Sequence, residues 1–218
     1  TEMWQNQATI ENVETLRSRG IRVMQPASGR LTGDDTGPGR LPEVEEIIDF
    51  LFSISPLTGK TVTVTAGGTR ERIDDVRFIG NRSSGKTGVA LAIAARDLGA
   101  KVHLIACNLN DTPRGIEVTH VENVAELSTA LQKSSDVLVM AAAVSDFQVD
   151  NPDKGKISRS TVPEIKLSSS PDLLATYTQN FHESFAVGFA LVDEGEDVIE
   201  ASRSKLGAKG VKVVVGNH

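Results

Sequence analysis

Residues 80–88, GNRSSGKTG, have the composition of a phosphate-binding loop. They match the pattern G-x-x-x-x-G-K-[ST], in which glycine amides, hydroxyl groups and a lysine surround phosphate oxygens. A helical pattern follows at residues 87–98, and the N-terminus of a helix attracts anions through its unpaired N–H groups. The loop therefore predicts a phosphate-binding site.

Three further motifs are candidates for completing such a site. Residues 66–71, AGGTRE, follow a predicted strand, and their two glycines allow either a close approach to a ligand or a tight strand-exit turn. Residues 154–159, KGKISR, are a cationic run that either closes over a polyphosphate or is simply solvated. Lys205 and Lys209 are four residues apart on a predicted helix, where like charges repel unless an anion offsets them.

A nucleoside site is indicated at the end of another predicted strand. Ala141, Ala142 and Ala143 are small and leave room for a flat base or a ribose against the backbone. Asp146 follows, and its carboxylate is suited either to accept hydrogen bonds from a sugar or base amine or to cap a helix. The only cysteine, Cys107, is expected to be a buried small residue, and the four histidines lack metal-ligand spacing.

Composition excludes several classes of protein. The 218 residues are 39% hydrophobic, long enough for an α/β domain with an appendage. The formal charge of −6 and an aromatic content of 4% argue against a nucleic-acid partner. A single cysteine excludes an internal disulfide, and no apolar run approaches the ~18 residues of a membrane span. These features predict a cytoplasmic protein with no membrane partner.

The elements that would position these motifs alternate from residue 61 onward. Strands are predicted at 61–65, 101–106, 136–141, 185–191 and 211–215, and helices at 87–98, 124–134, 171–179 and 196–209. The alternation predicts an α/β fold, namely a Rossmann-like, doubly wound, mostly parallel sheet with helices on both faces. Ligands of such sheets bind beyond the carboxyl ends of the strands, where the motifs above are found.

The first part of the chain has a different pattern. It predicts a helix at 8–19, a strand at 21–24, a glycine- and proline-rich loop at 25–42, a helix at 42–52 and a linker at 53–60.

Two nucleotide-binding classes fit the residues poorly. A phosphate-loop NTPase is disfavoured because the run 76–79 before the loop is short and contains Arg77, and because Asp146 lies several residues beyond its strand. A Rossmann-type NAD(P)-binding oxidoreductase remains an alternative, although residues 66–71 lack its third glycine.

The residues together resemble those of the phosphopantothenate–cysteine ligase family, the synthetase part of a bifunctional bacterial coenzyme A biosynthesis protein. The resemblance covers about 160 residues and is carried, in order, by 65–71 (TAGGTRE), 73–88 (IDDVRFIGNRSSGKTG), 141–147 (AAAVSDF), 156–159 (KISR), 187–189 (VGF), Lys205, Lys209 and 215–217 (VGN).

This resemblance implies a two-step reaction. The carboxylate of 4′-phosphopantothenate attacks the α-phosphate of CTP to give an acyl-cytidylate and pyrophosphate, and the amine of cysteine then displaces CMP. Mg²⁺ would bridge the phosphates, its protein ligands being unassigned, and a homodimer would complete the site.

The resemblance also implies a role for individual residues. Gly67, Gly68, Ser83, Ser84 and Gly85 would hold the triphosphate, and Asn81 and Arg82 the pantothenoyl substrate. Asn81 would also contact the acyl-cytidylate carbonyl. Lys156 would support the second transition state. The nucleoside would be surrounded by Ala141, Ala142, Ala143, Asp146 and Phe189. Positive charge at the nucleotide site would come from Lys205 and Lys209.

Residues 1–52 resemble the C-terminal tail of a flavin-dependent phosphopantothenoylcysteine decarboxylase. This resemblance is carried by Met3-Trp4 and by a substrate clamp at 26–29 (PASG) and 37–41 (GPGRL). In this clamp Gly33 is nearest to the position of a catalytic cysteine. The resemblance implies that FMN is bound only by the missing part of that domain, through which higher oligomers form. Residues 53–60 would be a linker and 61–218 a C-terminally truncated ligase domain.

Several residues depart from the family pattern. Ser158 replaces a cation, Gly68 and Arg72 stand where proline is common, and residues 190–193 (ALVD) differ from the usual AAET. The preference for CTP over ATP is inherited from the family alone. A nucleotide-binding remnant without turnover therefore stays open as a further alternative.

Overall fold

The structure is a computed structural model, and it describes residues 2–31, 35–52, 55–158, 160, 164–192 and 195–217. Its helices and strands, in chain order, are α1 (Glu2–Gln5), α2 (Gln7–Ser18), β1 (Ala27–Arg30), β2 (Thr36–Arg40), α3 (Val44–Phe52), β3 (Thr61–Gly67), β4 (Arg70–Arg72), β5 (Phe78–Gly80), α4 (Lys86–Asp97), β6 (Lys101–Cys107), β7 (Glu117–Val121), α5 (Val124–Ala130), β8 (Val137–Met140), β9 (Phe147–Val149), β10 (Leu167–Ser169), α6 (Leu173–Asn180), β11 (Phe185–Leu191), α7 (Val198–Lys209) and β12 (Val213–Asn217). Within these ranges no helix is long and apolar enough to cross a membrane.

A six-stranded parallel sheet forms the centre of the molecule. Its spatial order is β12-β11-β8-β3-β6-β7, so the strands, counted along the chain, follow the order 3-2-1-4-5-6 of a Rossmann fold. The order reverses between β3 and β8, which makes the gap beyond their carboxyl ends the expected ligand crevice. The predicted fold class is confirmed.

Helices cover the sheet from two sides and define two cores. On one side α4 packs its Ala92 and Ala95 against Val64 and Leu104 of the sheet. On the other side α5, α6 and α7 lie over the alternate side chains of the same strands, with the fully buried Leu138 in that core. Strands buried on both faces carry near-continuous apolar sequences, which is why their positions could be predicted.

Polar caps set where three of these helices begin. The side-chain oxygens of Asn123, Asp172 and Asp197 accept hydrogen bonds from first-turn amides of α5, α6 and α7. The last of these helices ends at Gly210, whose φ is +63°. The predicted helices agree with the observed ones except at their ends, most visibly for α5, which stops at Ala130 rather than at residue 134.

Several elements differ from the prediction. Residues 21–24 form no strand, and the predicted loop 25–42 contains the β1–β2 hairpin, because β1 finds a hydrogen-bonded partner and the run 21–24 does not. Strand β7 was not predicted, nor were the antiparallel pairs β4–β5 and β9–β10. These two hairpins rise from the carboxyl side of the sheet.

Helix α2 is attached to the far end of α4 by ion pairs. Arg96 of α4 contacts Glu14 of α2 at 3.2 Å, and Arg17 of α2 contacts Asp97 of α4 at 3.6 Å. Arg96 and Arg17 are largely buried, so these pairs are less screened than an ordinary surface pair. The N-terminal segment therefore packs on the α/β unit.

Candidate functional site

The loops after β3 and β8 meet at the point where the strand order reverses. The carbonyl of Gly67 accepts the N–H of Ala143 at 2.8 Å, and the N–H of Thr69 donates to the carbonyl of Ala143 at 3.2 Å. The hydroxyl of Thr65 accepts the N–H of Ala142 at 3.0 Å. The structure thus brings together the glycine turn and the alanines that the sequence predicted for a nucleotide.

Backbone contacts, rather than open space, account for the glycines of this turn. Gly67 has a φ of +92°, and a Cβ there would lie 2.0 Å from the carbonyl oxygen of Cys107. A Cβ on Gly68 would lie 2.7 Å from the carbonyl oxygen of Asn81. These two residues let three loops approach one another closely.

The amides of this turn are already used within the fold. The N–H groups of Gly68, Thr69 and Arg70 donate to the carbonyls of Cys107, Ala143 and Glu122, respectively. These N–H groups are therefore not free to bind an anion. A tight strand-exit turn describes residues 67–70 better than an open anion-binding loop does.

The N-terminal end of α4 is better suited to hold phosphate. Its first residue, Lys86, follows Gly85, which has a φ of +70°, and no described side chain caps the first-turn N–H groups. Ser83, Ser84 and Lys86 are exposed. Hydroxyls, a cation and uncapped amides at a helix N-terminus are together an anion-binding arrangement.

Asn81 connects this loop to the loop after β8. Its side-chain nitrogen donates to the carbonyl of Val144 at 2.9 Å, although the residue is exposed overall. Arg82 is exposed beside it. Both residues lie at the crevice, and their contact with a pantothenoyl substrate remains a prediction.

A cation cluster lies between α6 and α7, beside β11. Lys205 donates to the carbonyl of Phe189, and Lys209 pairs with Asp172. Burial and then the charge of Lys209 lower the pKa of Lys205, against the opposing charges of Asp172 and Asp146. The charges of Asp146 and Lys209 therefore both act on Lys205, whereas Phe189 contributes its backbone carbonyl.

Lys156 lies apart from that cluster. Its neighbours Gly155 and Ile157 are hydrogen-bonded to residues 74–75, at the tip of the β4–β5 hairpin. That tip is about 10 Å from the hairpin base at Thr69 and Gly80, since a strand rises ~3.3 Å per residue. Within the described part of the chain, Lys156 is exposed and makes no hydrogen bond or ion pair.

Sequence reasoning missed two residues that shape the site. Asn108, which follows β6 with a φ of +54°, donates to the carbonyls of Gly68 and Glu122, both at 2.8 Å. An asparagine directly after a buried strand was the available signal, because asparagine tolerates this conformation. Asp74 is the second, and nothing local in the sequence predicted its partners.

Some predicted features lie outside the described residues, namely Gly33 of the clamp, Arg159 of the cationic run and Asp193. Among the residues that are described, no three His, Cys, Asp or Glu side chains lie together as a metal-binding group. Burial raises the pKa of the Cys107 thiol to about 12, in agreement with its predicted role as a buried small residue.

Comparisons with known proteins give the family. Residues 57–218 match the family described as DNA/pantothenate metabolism flavoprotein C-terminal domain, and residues 1–55 match the flavoprotein family. The coenzyme A biosynthesis bifunctional protein CoaBC of Mycobacterium bovis is 45% identical over 241 residues, and that of Vibrio cholerae is 38% identical over 229 residues. The alignments cover 100% and 99% of this chain but only 57% and 56% of those proteins, so the chain spans little more than half their length.

Solved structures show the same fold. The crystal structure of a CoaBC C-terminal domain has a TM-score of 0.64 and 33% identity over 76% of this chain and 80% of that one. A Cab2 variant in complex with phosphopantothenate-cysteine also has a TM-score of 0.64, but at 16% identity over 100% of this chain and 83% of that one. This second likeness shows the fold alone.

Proposed function

The chain belongs to the DNA/pantothenate metabolism flavoprotein C-terminal domain family, and from this premise we propose that it joins 4′-phosphopantothenate to L-cysteine at the expense of CTP. The observation that carries the proposal is the crevice between β3 and β8, where the predicted nucleotide residues meet the uncapped N-terminus of α4. The related bifunctional proteins of coenzyme A biosynthesis support this substrate class.

In the first step, a carboxylate oxygen of 4′-phosphopantothenate attacks the α-phosphorus of CTP, and the bond to pyrophosphate breaks. Negative charge grows on the leaving pyrophosphate. We assign its stabilisation to Ser83, Ser84, Gly85 and the first-turn amides of α4, because the dipole and the N–H groups of a helix N-terminus favour anions. Gly67 and Gly68 contribute by letting the loops around this crevice approach one another closely.

Mg²⁺ would enter with the nucleotide as a MgCTP complex. Its protein ligands stay unassigned, and among the described residues no three His, Cys, Asp or Glu side chains lie together. Phosphate oxygens are hard ligands of the kind that Mg²⁺ prefers. The protein's part is to bind the complex and to align its α-phosphorus.

The nucleoside is assigned to the region between the alanines 141–143 and the cation cluster of α6 and α7. Phe189 offers a partly buried ring, Asp146 an exposed acceptor, and Lys205 and Lys209 positive charge. Asp146 would accept a hydrogen bond from a sugar or base amine, and the preference for CTP over ATP is inherited from the family alone.

In the second step, the amine of cysteine attacks the acyl carbonyl, the bond to CMP breaks, and the amine loses a proton. Asn81 is assigned to the carbonyl and Lys156 to the negative charge of this transition state. Removing the charge with Lys156→Gln should leave CTP binding intact while greatly slowing product formation. Loss of CTP binding in this variant would contradict the assigned role.

Around this site we infer that residues 61–218 are the ligase domain, 53–60 a linker and 1–52 the end of a flavoprotein decarboxylase domain. The two family matches change over between residues 55 and 57, within the inferred linker. FMN is assigned to the rest of that domain in a longer protein, and no step above uses it. A homodimer is the assembly that we expect in the cytoplasm.

The test is pyrophosphate release from CTP and Mg²⁺, measured with and without 4′-phosphopantothenate before cysteine is added. Release that requires 4′-phosphopantothenate, followed by CMP release on adding cysteine, supports the ligase. Release without it favours an NTPase, and CTP binding without release favours a remnant lacking turnover. Lys101→Gln is the matched control for Lys156→Gln, because Lys101 is also an exposed lysine but lies at the opposite end of the sheet.

One observation favours a second candidate, an NAD(P)-binding oxidoreductase, because the strand order 3-2-1-4-5-6 is also that of dinucleotide-binding domains. A titration with NADH and NADPH, followed by nicotinamide fluorescence, separates the two. Binding of these cofactors in competition with CTP would favour the oxidoreductase.

A further inference from the structure

Asp74 is a buried carboxylate that connects two loops. It lies between β4 and β5, is only 1% exposed, and accepts four hydrogen bonds. Its Oδ1 accepts the N–H groups of Val76 and Arg77, both at 2.7 Å. Its Oδ2 accepts the Arg77 guanidinium at 2.6 Å and the N–H of Ile157 at 3.1 Å.

The ionised form of Asp74 is the stable one. Burial by itself would raise its pKa, but the N–H groups of Val76, Ile157 and Arg77 and the charge of Arg77 together lower the pKa below its usual value. Both carboxylate oxygens are therefore acceptors at neutral pH.

The loop that carries Lys156 is held on both sides of that residue. The N–H of Gly155 donates to Oδ2 of Asp75 at 2.9 Å, and the N–H of Asp153 donates to the carbonyl of Ile73 at 2.9 Å. With the Ile157–Asp74 bond, these contacts fix the backbone from 153 to 157 while the Lys156 side chain stays exposed. Lys156 therefore extends from an anchored backbone rather than from a free flap.

The same hairpin leads to Asn81, which directly follows the end of β5 at Gly80. We propose that Asp74 is a positioning residue for the second step, because it fixes the Lys156 loop against the hairpin that carries Asn81. This inference rests on the proposed function. Asp74 itself touches no reacting atom and acts through Lys156, so its effect should depend on the Lys156 side chain.

The test is a double-mutant cycle with Asp74→Asn and Lys156→Gln. The asparagine keeps the volume but places an NH₂ group against two donors, either Arg77 and the Ile157 amide or the amides of Val76 and Arg77. We expect pyrophosphate release close to wild type and amide formation about 100-fold slower, since a displacement of ~1 Å costs about this much in rate. In a chain that already carries Lys156→Gln, Asp74→Asn should slow amide formation little further.

A second variant keeps the result decisive even if Asp74→Asn fails to fold. Asp75 is half exposed, so Asp75→Ala should fold while losing the acceptor for Gly155. The slower amide formation of this variant should also vanish when Lys156 is already replaced by Gln. Asp150→Ala, which removes an exposed carboxylate from the neighbouring β9–β10 hairpin, is the matched control and should be neutral.

Each outcome decides the matter. Non-additive losses confined to amide formation support the positioning role. The positioning role is overturned if the variants slow amide formation just as much without the Lys156 side chain, or if they slow pyrophosphate release equally. Either result leaves the ligase assignment intact. A wild-type chain without phosphopantothenate-dependent pyrophosphate release overturns the proposed function, and the positioning role with it.

Discussion

Gly67→Ala should destabilise the fold by about 2–5 kcal/mol. An alanine at the observed φ of +92° costs about 1–2 kcal/mol in backbone strain alone. Its Cβ would also lie 2.0 Å from the carbonyl oxygen of Cys107, so the turn must move. That movement breaks the bond from the Gly68 N–H to Cys107 or the bond from Ala143 to Gly67, and an unpaired buried group costs about 1–3 kcal/mol.

Urea unfolding monitored by far-UV circular dichroism measures this change as a lower transition midpoint at constant slope. Gly59→Ala is the matched control, because Gly59 has a φ of +78° but a Cβ there would meet no described atom within 4 Å. The control should be destabilised only by the backbone strain, about 1–2 kcal/mol. Equal losses at the two positions would refute the argument from close approach.

Three other groups give separate predictions. Hydrogen bonds from Thr61 and then Lys60 lower the pKa of Asp136 from 3.8 to about 2, so its ionised form stabilises the folded state above pH ~4 and this contribution is lost as the pH falls through about 2. Asp136→Asn should therefore be less stable than wild type in urea at pH 7, and the two should converge near pH ~2; a constant difference would contradict the linkage. Cys107, with a pKa of about 12, should react with iodoacetamide at pH ~8 only after unfolding, and rapid labelling of the native protein, detected by mass spectrometry, would contradict its burial. Tyr177→Phe should cost about 1–3 kcal/mol in urea unfolding, because the buried N–H of Ser135 loses the hydroxyl that it bonds at 3.1 Å; a neutral substitution would show that this N–H finds another partner.

The central sheet was predictable because local sequence determines it. Strands such as β3 and β6 are buried on both faces and carry apolar runs that need no knowledge of their neighbours. The edge strand β7 escaped prediction since Glu117, Thr119 and His120 interrupt any such run. The β1–β2 hairpin escaped because it contains glycine and proline, which strands usually avoid.

The candidate site was predictable to the level of its loops. The turn at 66–71 and the alanines 141–143 do meet at the crevice, because parallel strands bring their carboxyl ends to one edge. Asn81 of the motif at 80–88 reaches the same loop through the carbonyl of Val144. The hydrogen bonds of residues 68–70 could not be predicted, since their acceptors lie up to 74 residues away in sequence, at Ala143. For the same reason Asp74 gave no local sign of its contact with Ile157.

Helix α4 gives the molecule a mechanical connection between its two segments. It is about 18 Å long at 1.5 Å per residue, with the phosphate loop at Gly85 on one end and the Arg96–Glu14 pair on the other. One helix therefore joins the part of the chain shared with flavoproteins, at α2, to the phosphate loop of the part proposed to bind CTP.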